Sequence, residues 1–214
     1  MEVNLRVPNS LNEITLGQYQ QYVALGEMED IQAQSKMVEI FCNVPPIVVR
    51  NMRATDISDI CNIISSMFDT QHQLINRFEL NGTQYGFIPE LEDMTFGEYV
   101  DLDTFIGDND NLHRAVNVLY RPIENRSGKR YNIKDYDPNT SEIAKDFPLD
   151  AVMGAVVFFY NLGKELSTVI LTSLDKRNQE TLAEYLYSQE NGVGTTQSMD
   201  SLKEILQSLK ISLN

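Results

Sequence analysis

Nine residues of this chain occur twice: Leu11 to Tyr19 reads LNEITLGQY, and eighty positions later Leu91 to Tyr99 reads LEDMTFGEY. The duplication constrains the fold because each copy carries the same helix-starting chemistry. Thr15 and Thr95 stand as N-caps, whose hydroxyls can accept from an orphaned backbone N–H. Gln18 and Glu98, three residues on, can reach back to the cap's own N–H. Ile14 with Tyr19, and Met94 with Tyr99, bracket each cap as an apolar clasp that sets the angle at which the chain enters the helix. An alternating stretch ending in proline precedes each copy, at Val7-Pro8 and Ile88-Pro89. The reading is therefore of two strand-to-helix units, about 3–25 and 83–105. Neither unit carries a catalytic signature.

At 214 residues the chain can bury a substantial core as one domain or two small ones. Seventeen basic against thirty-one acidic side chains give a net charge of −14. Such a field repels nucleic acid and anionic membrane over most of the surface, so specific nucleic-acid binding is not expected. Cys42 and Cys61 are the only cysteines, and each lies in an apolar helical pattern, which reads as two buried thiols kept reduced rather than a disulfide. The N-terminus lacks the basic-then-apolar design of a secretory signal, so synthesis and retention in a cytoplasm are expected. The longest apolar run, Ala151 to Tyr160, is about half of what a membrane span needs.

Along the chain, the capped helix from Thr15 runs to about Leu25 and stops at Gly26. Ile31, Met37, Val38, Ile40 and Phe41 suit a second helix with one buried face, ended by Pro45-Pro46, and Ile47 to Met52 a short third. Thr55 opens a fourth, along which Ile57, Ile60, Cys61, Ile64 and Phe68 recur at three- and four-residue steps. Ile75–Leu80, Asn81-Gly82 and Thr83–Ile88 read as a hairpin closed by a type I′ turn. After the second capped helix, another runs from about Asp110 to Tyr120. A second hairpin follows, Tyr120–Ile123 out and Tyr131–Ile133 back, with a long ENRSGKR tip. Pro148 then starts the most apolar helix, with Val152, Val156, Phe159, Leu162, Leu166, Val169 and Ile170 as its stripe. Gln179 to Ser188 continues as helix, residues 191–198 form a linker, and residues 199–214 form an amphipathic arm with Leu202, Ile205, Leu206 and Leu209 along one face. The fold class is α+β and predominantly α-helical, with helices around a long apolar central helix, one or two projecting β-hairpins, and residues 1–190 as the body.

The candidate chemistry is sparse. Glu92-Asp93, Asp101, Asp103, Asp108 and Asp110 bring carboxylates close in sequence, but their spacing fits no known cation loop, and a solvated turn and cap is favoured. His72 and His113 are the only histidines, and neither sits in a motif with a serine or cysteine nucleophile. Gly128-Lys129-Arg130 lacks the first glycine and the hydroxyl of a phosphate loop. No catalytic residue, metal or cofactor is expected. Five of the seventeen basic residues, Arg121, Arg126, Lys129, Arg130 and Lys134, fall within one fourteen-residue tip. Such a charge asymmetry fits either a solvated hairpin or contact with the acidic body of a neighbouring copy.

The segments YGFIPELEDMTFGEYVDLDTF, NLHRAVNVLYRPI and FPLDAVMGAVVFFYNLGKEL resemble small structural proteins encoded beside the tail and neck genes of crAss-like and related Bacteroides bacteriophages. The resemblance covers roughly residues 11 to 170. It implies a virion component of the neck or tail, made in the host cytoplasm, forming a dodecameric ring stacked between portal and tail. Its partners would be copies of itself and portal, neck or tail proteins, with no membrane involved. The same resemblance admits a tail assembly chaperone absent from the finished particle, and an enzyme of unknown class is a third reading.

Overall fold

A computed structural model of the chain describes residues 5–128 and 130–173, with the side chains of the last helix described to residue 164. The helix Gln179–Ser188, the linker, the arm residues Leu202, Ile205, Leu206 and Leu209, and Lys129 lie outside the described residues. The fold is mixed α/β and mainly helical, with one four-stranded antiparallel sheet. Among the described residues no helix is long and apolar enough to cross a membrane.

Four helices open the chain: α1 (Leu16–Val23), α2 (Asp30–Phe41), α3 (Pro46–Arg50) and α4 (Ala54–Phe68). In α4 the stripe of Ile60, Cys61 and Ile64 is buried, as the three- and four-residue spacing dictates. Thr55 does not cap it. The helix begins one residue earlier after Arg53, with no side-chain cap, so Thr55 lies inside the first turn. Helix α2 buries only its C-terminal half, Val38, Ile40 and Phe41, and leaves Ile31 in solvent at its first turn.

The sheet is a meander in order β1 (Arg77–Leu80), β2 (Thr83–Phe87), β3 (Tyr120–Ser127) and β4 (Arg130–Ile133). Asn81 and Gly82 both have positive φ, 50° and 78°, the conformation a tight two-residue turn requires and Asn-Gly accommodates. The second hairpin differs from the sequence reading. Most of the ENRSGKR stretch is strand, with Ser127 opposite Arg130, and a register shift between Ile123 and Asn125 absorbs one extra residue. The two hairpins do not project separately, because β2 pairs with β3 and joins them edge to edge. No strand forms over Leu5–Val7. That segment packs Leu5 and Val7 against the core without a ladder partner, so the first unit is a capped helix without a strand.

Between β2 and β3 the chain makes α5 (Phe96–Phe105) and α6 (Leu112–Leu119). Helix α6 is buried almost all round, from Leu112 to Leu119, leaving only Arg114 partly exposed. Its cover is a nine-residue 3₁₀ segment, Pro138–Asp146, tied down where Asn117 Nδ2 donates to Asp137 O at 3.0 Å. Helix α7 (Leu149–Ser173) buries Leu149, Val152, Met153 and Val156, whereas Leu162, expected on the stripe, is exposed. Phe78 and Tyr85 stack at 5.6 Å, and they, Phe87, Tyr120 and Phe147 meet in edge-to-face pairs with centroids 4.8–5.3 Å apart.

Candidate protein-binding groove

Both copies of the nonapeptide fold the same way. Each is a one-turn 3₁₀ segment, Leu11–Glu13 or Leu91–Asp93, followed by a capped helix. In the first, Gln18 N donates to Thr15 Oγ1 at 3.2 Å and Thr15 N to Gln18 Oε1 at 3.0 Å. In the second, Glu98 N donates to Thr95 Oγ1 at 3.3 Å and Thr95 N to Glu98 Oε2 at 2.6 Å. Two complete capping boxes result.

Their surroundings differ. The first unit lies in the core: Leu11, Ile14, Leu16 and Tyr19 are all buried. An extended segment crosses it, with Leu16 N donating to Phe147 O at 3.0 Å and Leu149 N to Ile14 O at 2.8 Å, so Thr15 and Pro148 form an antiparallel bridge. The second unit is at the surface. Phe96 is 82% exposed, Tyr99 44% and Val100 42%, so Tyr99 of the second clasp faces solvent while Met94 stays partly buried against the core. These three apolar residues one helical turn apart are the main feature that sequence reasoning passed over. The signal was present as an i, i+3, i+4 triad on an otherwise acidic helix.

Beside this unit lies an open groove of about 1670 Å³. Its lining includes the basic residues Arg77, Arg130 and Lys134 and the acidic residues Glu90, Glu92 and Asp93, together with Thr95 of the second cap. The volume exceeds the ~300–1,000 Å³ of small-molecule pockets. At its edge the Arg121 guanidinium meets Glu98 at 2.7 Å, with side chains only 11% and 6% exposed. Arg121, expected at an exposed tip, therefore turns inward, because it sits at the base of β3 where the strand passes the N-terminus of α5. Buried beside it, Arg77 Nη1 and Arg121 Nε have no hydrogen-bond partner among the described residues. Arg126, Arg130 and Lys134 are exposed on the β3–β4 hairpin.

The remaining candidates are dispersed. Gln20 Nε2 lies 2.6 Å from Asn109 O, 3.0 Å from Asp110 O and 3.2 Å from His113 Nδ1. The two carbonyls fix the amide with its NH₂ toward them, and on the other side of the ring His113 Nε2 lies 3.4 Å from Glu142 Oε1. Burial, and next Lys145, hold its pKa below the ordinary value, with Glu142 opposing. His72 is likewise lowered by burial first. Neither histidine is hydrogen-bonded to a serine or cysteine among the described residues. The carboxylates are separately engaged: Asp101 accepts from Tyr136 Oη at 2.8 Å, and Asp108 accepts from Asp110 N at 3.0 Å and Asn111 Nδ2 at 2.7 Å. Among the described residues no three His, Cys, Asp or Glu side chains gather as a metal site. Cys42 and Cys61 are free buried thiols, and burial pushes Cys42 up to about 11. Comparison with protein-family models, with curated proteins and with solved structures finds no match.

Proposed function

We propose that this chain is a structural subunit of a bacteriophage particle, a ring or connector protein of the neck or tail that self-assembles and bridges neighbouring virion proteins. The observation that carries the reading is charge complementarity within one chain. A hairpin exposing Arg126, Arg130 and Lys134 stands on a body whose net charge is −14. Two different complementary surfaces on one subunit make head-to-tail contacts, and such contacts close into a ring when the rotation between subunits allows it. In this reading α7 is the long apolar axis of the body, the β3–β4 hairpin is the projecting contact element, and the residues after 198 are an arm for a neighbouring subunit.

Electron microscopy of the purified chain, with sedimentation at low and high salt, tests the reading. Rings are expected, and the double charge reversal Arg126→Glu with Arg130→Glu should abolish them most completely at low ionic strength, since screening sets in beyond about 10 Å at 0.1 M salt. A chain that stays monomeric at every concentration and salt overturns self-assembly. Peptides of this chain in purified particles at near-stoichiometric amount support the structural role, whereas their presence only in infected lysate favours a tail assembly chaperone.

A further inference from the structure

The first repeat unit shows what the second is built to hold. Across Thr15 the crossing segment Lys145-Asp146-Phe147-Pro148-Leu149 uses one donor and one acceptor of the unit, Leu16 N and Ile14 O, and Pro148 sits between them where no N–H is needed. It passes so close that a Cβ on Gly17 would come within 3.1 Å of Lys145 O, tighter than ordinary contact, so a larger residue there would push the crossing backbone aside by a few tenths of an ångström. The unit's apolar residues are covered in the same body.

Each of these features has a counterpart eighty residues on, and each counterpart is empty-handed. Phe96 N and Met94 O, the equivalents of Leu16 N and Ile14 O, make no backbone hydrogen bond among the described residues. Gly97, the equivalent of Gly17, has nothing within 4 Å of where its Cβ would be. A glycine in the first turn of a helix lowers helix propensity, and here no neighbour requires it. Phe96, Tyr99 and Val100 stand exposed on the same turn. Thr95, the equivalent of the bridged Thr15, lines the groove, whose walls offer both signs of charge, as the pair Lys145-Asp146 beside the first unit would need.

From this internal template we infer that the second unit is a docking edge for an extended segment of another protein, with an apolar-proline-apolar core next to charged residues. The segment crosses Thr95 as Phe147-Pro148-Leu149 crosses Thr15. It accepts from Phe96 N, donates to Met94 O, and passes over Gly97. Its apolar side chains cover Phe96 and Val100. The inference rests on the repeat and does not require a ring, although the groove beside the edge includes Arg130 and Lys134 of the β3–β4 hairpin.

The probe is a blocked synthetic peptide of this chain's own residues 143–150, Ile-Ala-Lys-Asp-Phe-Pro-Leu-Asp, titrated into the ¹⁵N-labelled full chain. The expected result is saturable shifts of the Phe96 and Gly97 amides, with the Leu16 and Gly17 amides unmoved because their edge is already filled. Gly97→Leu should fold with an unchanged or higher Tm, since nothing occupies the space its side chain enters, yet bind the peptide at least tenfold more weakly. Peptide that leaves Phe96 and Gly97 unmoved, or that binds Gly97→Leu as well as the parent, overturns the proposal. Shifts at those two amides that grow with protein concentration, without peptide, assign the edge to a second copy of this chain and overturn it as well.

Discussion

The Glu98 carboxylate grips the Arg121 guanidinium at 2.7 Å with both side chains nearly out of solvent, while its repeat equivalent Gln18 uses its amide to donate to Ile40 O at 2.7 Å. The capping task is the same in both places, and either side chain performs it. The choice between amide and carboxylate follows from the tertiary partner: a carbonyl oxygen needs a donor, and a guanidinium needs an acceptor. Sequence divergence inside the repeat is thus explained by contacts outside it.

The pair makes Glu98→Gln more damaging than an exposed change of the same size. It leaves the Arg121 charge buried without its counter-ion, and one-sided loss of a buried pair costs about 3–5 kcal/mol. Urea unfolding of Glu98→Gln, Arg121→Met and the double variant should show the double less destabilised than the sum of the singles. Strict additivity would mean that the two groups do not interact.

Thr15→Ala and Thr95→Ala each remove the acceptor for an N3 amide and should lose about 0.5–2 kcal/mol. The loss at Thr15 is expected to be the larger, because Thr15 is half-buried beneath the crossing segment, whereas Thr95 is exposed. Equal losses in thermal melts would argue that burial of the first unit contributes nothing to its cap.

Acid should loosen the contact between α1 and α6. His113 has a pKa lowered by burial, so the stability its neutral ring contributes is complete above the unfolded value, near 6.5, and is lost as pH falls through the lower folded value. The charged ring would be held out of water in the fold, 3.2 Å from the Gln20 amide nitrogen. Tm should fall between pH 7 and pH 5, and less so in His113→Gln. An identical acid slope in that variant would assign the effect elsewhere.

The thiols give an alkaline counterpart. Cys42 is raised to about 11 by burial, with Cys61 nearby adding to the shift, so its protonated form is favoured in the fold. Its contribution is intact below the unfolded value and declines as pH climbs from there toward 11. Native protein should react with a disulfide reagent at pH 8 far more slowly than urea-unfolded protein. Comparable rates would show the thiols to be accessible.

Legibility from sequence followed the range of the causes. The capping boxes, the Asn81-Gly82 turn and the buried stripe of α4 depend on neighbours within a few residues, and they could be read from spacing. Arg121 could not, since its inward turn depends on Glu98, which reaches it through the tertiary fold. The strand expected before Pro8 does not form over Leu5–Val7 for the same reason: alternation permits a strand, but only an adjacent ladder makes one. The 3₁₀ segment Pro138–Asp146 has no strong periodicity, and it is ordered by what it covers, the buried Asn117 above all. In the groove, the basic hairpin was visible as composition. The exposed Phe96 was not, because the motif that contains it reads as core in its first copy.

The bridge from Ile14 to Leu149 spans almost the whole described chain, and this has a kinetic consequence. Closing so long a loop is entropically costly, so this contact is expected to form late. During synthesis α1 would leave the ribosome long before the residues that cover it. Part of its apolar face can pack early, Tyr22 on Phe41 and Tyr19 on Phe68, but the edge at Ile14 and Leu16 stays open until Phe147-Pro148-Leu149 arrives, so the nascent N-terminal half carries an unfilled edge that the finished molecule does not.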